Sequence, residues 1–284
     1  MLPPSLRKTS GHRYRVLAGL AVCTLSTGLL KATTVSFATG AVTIGAGAAV
    51  NAQADINFNA STHTVVITLL NFQLDPKGIA SAISGVEIDW SNLSGGATAS
   101  LSSTTASTFT INTDGSITGA SNVTTTQWLV ETNVSDPTGG YLTNTIALCV
   151  VCKNVNGTSP PTELVVGGPA ANKPAPYGYA DGNNSITNNH SPYILGSGNT
   201  FNYTSGTPLF GMNTTPTWTL NVPQITASSA IVAVRFYFGS AYIVPGQEWD
   251  GSLVTPEPAA AWTMAGGMLA IAAGVWKKRR GQTR

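Results

Sequence analysis

Charge is what this sequence has least of. Only 9% of its 284 residues are Asp, Glu, Lys or Arg, where ordinary soluble domains carry roughly 25%. Exposed helices lean on Glu and Lys, so the shortage argues against a helical body and for strands and turns solvated by Ser, Thr, Asn and Gly. Histidine and cysteine are scarce too, three of each. Two cysteines outside the N-terminal segment are too few for a four-ligand zinc site without help from His63 or His190, and neither histidine has a helical His/Glu partner. No G-x-S-x-G elbow and no glycine-rich phosphate loop occurs in the body. Cations are nearly missing from the middle. Between residues 55 and 255 only Lys77, Lys153, Lys173 and Arg235 stand against eleven acids, an excess of seven negative charges. A body of that sign does not neutralise phosphates, so nucleic acid is excluded as an expected partner.

What is present falls into three parts. Hydrophobic residues make up 42% of the chain, enough for a core. The remaining basic residues sit at the ends. Arg7, Lys8, Arg13 and Arg15 precede an apolar run from Val16 to Leu30, and Ser36-Phe37-Ala38 places small residues at a cleavage position. Residues 1–38 thus read as a secretory signal peptide. Ala52-Gln53-Ala54 is a second cleavage candidate, and an uncleaved N-terminal anchor is the alternative. A lipoprotein reading at Cys23 meets the bulk of Val22 just before it. Residues 39–54 read as a flexible leader. Its "GAGAAV" stretch lacks the surrounding βαβ unit of a dinucleotide-binding motif.

At the other end, Ala259 to Trp276 is apolar. As a helix it reaches roughly 27 Å, just short of a ~30 Å hydrocarbon core. Trp262 and Trp276 lie near its two ends, and Lys277, Lys278, Arg279 and Arg280 follow. Cations beside a span stay cytoplasmic, which puts the body on the other side. Gly266, Ala270 and Gly274 form a small-residue face on the span. Pro256-Glu257-Pro258 precedes it. Two prolines hold the backbone extended and prevent one helix from running through, and Glu257 suits the positive end of the helix dipole.

The order Pro256-Glu257-Pro258, apolar span, basic cluster, closely resembles the PEP-CTERM sorting signal. The resemblance covers only about the last thirty residues. It implies handling by a membrane-embedded exosortase, in bacteria that export extracellular polysaccharide. It implies a destination and no chemistry for the body.

The body reads as β. Trp218, Leu220 and Val222 alternate with polar residues, as do Val232, Val234, Phe236 and Phe238, with Arg235 and Tyr237 on the opposite face. Trp128, Val130, Thr132 and Val134 form a third such set. A period of two marks strands with one buried face. "HTVVITLLNF" is apolar on both faces and suits a central strand. Asn112 to Gly115 reads as a tight hairpin turn, and "PKGIASAIS" as one or two helical turns. The expected organisation is all-β: an antiparallel β-sandwich or jelly-roll-like exported domain over 55–250, with a stalk at 251–258, one transmembrane helix at 259–276 and a basic cytoplasmic tail at 277–284. The loop-rich stretch from Gly167 to Thr200 is the expected binding surface, with Tyr177, Tyr179 and Tyr193 as an aromatic platform for carbohydrate.

Three groups bear on chemistry. Cys149 and Cys152 form a C-x-x-C. On one continuous strand they point to opposite faces, so the open readings are two thiols, a disulfide at a bulge or strand end, or metal or redox work. Glu87-Ile88-Asp89-Trp90 places two carboxylates on one strand face, the residue pair of glycoside hydrolysis. It resembles the E-[ILV]-D-x-x-E core of laminarinase-like jelly-roll hydrolases. The second glutamate is replaced, since Ser91 and Asn92 stand there. Asp181-Gly182-Asn183-Asn184 offers oxygen ligands without the order of a calcium loop, and calcium is the one cofactor for which the body offers even this much. The reading is a non-catalytic surface or matrix protein, structural or adhesive. Its expected partners are the secretion machinery, an exosortase-like enzyme, membrane lipid and extracellular polysaccharide. The alternatives are a carbohydrate-binding module and a hydrolase using Glu87 and Asp89.

Overall fold

The computed structural model describes residues 33–45, 47–73, 78–111, 117–134, 144–152, 161–167, 192–196, 215–240 and 248–254. Among them the regular structure is β-strand, apart from one 3-10 turn at Ile79–Ser81 where one or two helical turns are expected. The strands are β1 (Thr33–Ala38), β2 (Val42–Thr43), β3 (Ala49–Val50), β4 (Ala52–Asn59), β5 (Thr64–Asn71), β6 (Ile83–Ser91), β7 (Ser100–Ile111) and β8 (Ile117–Val123). They continue as β9 (Leu129–Thr132), β10 (Thr145–Cys149), β11 (Val165–Val166), β12 (Tyr193–Leu195), β13 (Thr217–Asn221), β14 (Ala230–Phe238) and β15 (Glu248–Val254).

Burial alternates along β5 through Val65, Ile67 and Leu69, and β5 lies inside the sheet between β4 and β13, a central strand as expected. The β4–β5 turn is set by Asn59, whose Oδ1 accepts from the Ser61 and Thr62 backbone N–H groups. His63 closes it in a left-handed conformation at φ 55°. The large sheet runs β11-β12-β7-β13-β5-β4-β1-β15-β14-β6-β10-β9, with β8 on β7. Val165 of β11 also pairs with Ile83 of β6, which joins the order back on itself. Phe58 of β4 meets Trp90 of β6 edge-on at 5.2 Å although three strands separate them in the order. That contact requires the sheet to fold over into two facing layers. One core fills the space, with Ile56, Ile67 and Leu69 on one side and Val86, Ile88, Val234 and Phe236 on the other. The molecule is therefore all-β and sandwich-like. No helix of the described residues is long and apolar enough to cross a membrane. The span expected at 259–276 lies outside those residues, with Pro256-Glu257-Pro258 and Lys277 to Arg280.

The folded body begins earlier and ends later than the periodicity suggests. Thr33–Ala38, inside the expected signal peptide, is β1, paired along its whole length with β4 and over Ser36–Ala38 with β15. The expected flexible leader holds β2, β3 and the start of β4, with Ile44, Val50, Ala52 and Ala54 buried. The physical reason is side-chain size: Ala and Gly look like linker in a sequence, but small residues fit where strands cross closely. β15 likewise runs four residues into the expected stalk. Val232 leaves the apolar face of β14 because a bulge between Ile231 and Ala233 turns it outwards, where it is 56% exposed. The residues of the expected turn at 112–115 are not described, but Ile111 pairs with Ile117 across it, so the hairpin is present.

Candidate functional site

Strand pairing brings six charged residues, Glu87, Asp89, Glu131, Arg235, Glu248 and Asp250, together on the outer face of β15-β14-β6-β10-β9. One row across the strands reads Asp250, Arg235, Glu87, Ala147, Glu131. The next reads Glu248, Tyr237, Gly85, Cys149, Leu129. Asp89 sits opposite Ala233 on one side and Thr145 on the other. Glu87 and Asp89 do share a face, as their spacing demands.

Arg235 Nε donates to Asp250 Oδ1 at 2.7 Å. Burial works against the charge on Arg235, but the hydrogen bond and charge of Asp250, then Tyr237 and Glu87, outweigh it and hold its pKa above the usual value. Glu87 is nearly buried, and its Oε2 accepts a hydrogen bond from the Tyr237 hydroxyl. Burial pushes the Asp89 carboxyl above its usual value, with Arg235 pulling partly the other way. Glu87, Asp89, Ala233, Arg235 and Asp250 line a small hollow. Beside it a wider one, about 400 Å³, is lined by Arg235, Glu248, Trp249 and Asp250. Trp249 is 38% exposed there. The Oε2 atom of Glu248 is buried and, among the described residues, has no hydrogen-bond donor.

The third feature of this face is the C-x-x-C. Cys149 and Cys152 are joined by a disulfide, with Cα atoms 5.5 Å apart, inside the usual range. β10 ends at Cys149 and the chain bends at Val150-Val151, which frees Cys152 from strand alternation. Gly85 makes room for the bridge: a Cβ there would come within 2.9 Å of the Cys149 Cβ. Glu131 is buried next to it, and one of its oxygens lies with both sulfurs inside a 4.8 Å cluster. While the sulfurs are bonded to each other they offer no thiolate to a metal. Reduced, the trio would present two thiolates and a carboxylate.

This arrangement allows specific things. A hydrolase needs one protonated and one ionised carboxyl, both open to the sugar. Glu87 is covered by Tyr237, so a ligand in the hollow meets Asp89 and Asp250 first. A sugar-binding site needs an exposed aromatic face for C–H contacts and fixed acceptors and donors for hydroxyls. Trp249, Glu248, Arg235 and Asp250 are of those types.

Tyr193 is not part of an open platform. It is buried in β12 with its ring 6.0 Å from that of Phe109, and burial drives its hydroxyl pKa up. The platform assignment fails there because Tyr193–Leu195 forms a strand, β12, that pairs with β7 and β11. Tyr177, Tyr179, His190 and Asp181 to Asn184 lie outside the described residues. Sequence reasoning did not single out Glu131, Trp249 or Asp250 for a site. A signal for the last two was their i, i+1 placement beside Glu248 in "QEWDG". Comparison with protein-family models and with curated proteins finds no match to this chain.

Proposed function

We propose that the chain is an exported β-sandwich protein that is sorted at the membrane through its C-terminal Pro-Glu-Pro, apolar span and basic cluster. In this reading Ala259 to Trp276 is a transmembrane helix, the body stands outside the cytoplasm, and its role is structural or adhesive without catalysis. One observation of the fold supports it. β1 and β15 are antiparallel neighbours, with Ser36 opposite Val254. The N-terminal end of β1 and the C-terminal end of β15 therefore leave the sheet at the same side. Leu30, the end of the first apolar run, is six residues before Ser36, and Ala259, the start of the second, is five after Val254. A chain spans at most ~3.3–3.6 Å per residue, so the near ends of both runs lie within roughly 22 Å of one register pair. While the leader is still attached, a body held by two membrane segments with basic flanks on the same side of the bilayer needs both tails at one end.

The test is mass spectrometry of the mature C-terminus, in cells with and without the sorting enzyme, combined with protease accessibility of the body. A shortened C-terminus that depends on the enzyme and an accessible body are expected. An intact Arg284 in both strains, or a body protected in the cytosol, refutes the reading.

A carbohydrate-binding body is the second reading, favoured by the hollow around Trp249. Binding on a glycan array that is lost in Trp249→Ala supports it. Binding unchanged by that substitution refutes the site.

A further inference from the structure

We infer that Glu131, Cys149 and Cys152 form a site that holds either a disulfide or a thiol-seeking divalent cation, zinc by preference, according to whether the bridge is reduced. The inference does not depend on the export reading. Strand register assembles the trio. Glu131 of β9 stands opposite Ala147 of β10, and Cys149 is two residues further along the same face. A long side chain reaches such a diagonal neighbour, and the small Ala147 leaves Glu131 room to lean across. One carboxylate oxygen and both sulfurs lie within 4.8 Å of one another. Val134, Ala147 and Leu129 pack around the two cysteines and make an apolar wall for the site.

The backbone that sets this spacing has supports other than the sulfur–sulfur bond. Cys149 is paired with Gly85 of β6 and Leu129 of β9, and the Val150 N–H donates to the Ser84 carbonyl at 2.9 Å. The Cα atoms of the two cysteines are 5.5 Å apart. Reduction therefore leaves both thiols beside the carboxylate. Thiolates at ~2.3 Å and a carboxylate oxygen at ~2.0–2.2 Å from one tetrahedral zinc stand roughly 3.5–4 Å from each other, and the fourth position goes to water. A 4.8 Å cluster admits that arrangement after side-chain rotation. The sulfur ligands select the ion, since thiolates favour zinc over calcium and magnesium, which seek oxygen.

A dithiol reductant gives two electrons and two protons to the bridge, which opens to two thiols while the dithiol closes to its own disulfide. The ion then displaces both thiol protons to solvent. Its charge is what lets two thiolates form beside a carboxylate. Reoxidation passes two electrons from the thiolates to the oxidant, restores the bridge and releases the ion.

The test uses the purified full chain carrying Cys23→Ser, so that no third thiol competes. The folded chain is reduced with a dithiol, freed of it without air, and titrated with cobalt(II). Thiolate-to-cobalt charge-transfer absorption is expected to saturate at one ion per chain. The oxidised chain should show none, zinc should bleach it, and excess calcium should leave it unchanged. Glu131→Gln should weaken cobalt binding by roughly 10-fold or more, at least what losing a supporting partner of a metal ligand costs. Two measurements do not depend on how that variant folds: zinc should raise the urea midpoint of the reduced parent, and it should shield Cys149 and Cys152 from alkylation as read by mass mapping. No absorption from the reduced chain, equal absorption from the oxidised one, or thiols alkylated equally fast with and without zinc overturns the inference. So does a bridge that yields to the dithiol only when the body unfolds. Unchanged affinity in Glu131→Gln overturns the carboxylate's place in the site.

Discussion

Replacing Phe37 with alanine tests whether residues read as leader belong to the core. Phe37 is buried, opposite Ala54 of β4 and Leu253 of β15. Beside it on β15, Gly251 has no side chain of its own to move into the gap. Phe→Ala in a core costs about 3–5 kcal/mol, and a site that cannot collapse lies towards the upper end. For a body of this size each kcal/mol shifts Tm by about 2–4 °C, which gives a fall of roughly 6–20 °C. Urea unfolding followed by tryptophan fluorescence reads the change, since Trp128 and Trp218 sit 4.5 Å apart inside the fold. Val232→Ala is the control: the bulge residue is exposed, so it should change stability by less than about 0.5 kcal/mol. If Phe37→Ala behaves like the control, β1 is not part of the folded body.

Other outcomes follow from the same geometry. The buried Glu163 carboxylate accepts from the backbone N–H groups of Thr126 at 3.0 Å and Gln127 at 2.8 Å. Glu163→Ala removes the acceptor of both, and since Thr126 is exposed and can turn to water while Gln127 is half-buried, it should cost about 1–3 kcal/mol in thermal or chemical unfolding, while Glu163→Gln, which keeps one acceptor, should cost less. Reducing the Cys149–Cys152 bridge opens a very short loop, so loop entropy assigns it only about 2 kcal/mol; a loss of folding on reduction would refute that. Asp89 has its pKa raised in the fold, so on raising pH the unfolded chain gives up this proton first. Its contribution to stability therefore falls as pH rises from below 3.8 through the raised value. Asp89→Asn should gain more stability at pH 7 than at pH 3, and the opposite trend in pH-dependent melts would show that Arg235 outweighs burial.

Legibility followed local pattern and stopped where pairing became long-range. Trp218, Leu220 and Val222, and Val234, Phe236 and Phe238, are buried as their alternation requires. Glu87 and Asp89 share a face for the same reason. What alternation cannot supply is the neighbour: β14 lies beside β6 across more than a hundred residues, and only that pairing puts Arg235 and Tyr237 against Glu87. Glu131 is buried against the expectation for a charged residue, because Ala147 opposite is small and the disulfide stands next to it. β1 was hidden by its composition. "TTVSFA" has two large apolar residues, and a hydrophobic leader precedes it, so composition favoured the leader.

The placement of β15 between β1 and β14 has a kinetic cost. A polypeptide that crosses a membrane from its N-terminus delivers residues 248–254 after nearly all the rest of the body. Until they arrive, β1 and β14 each keep one side unpaired, and closure waits for a contact between distant parts of the chain, which is slow to form. If the chain is exported as proposed, this delay would help keep the body loose while it threads through a narrow pore. The same delay leaves two sticky strand edges open in the meantime, where a second emerging copy could add itself, so crowding many copies at one exit site should favour swapped or aggregated products over monomers.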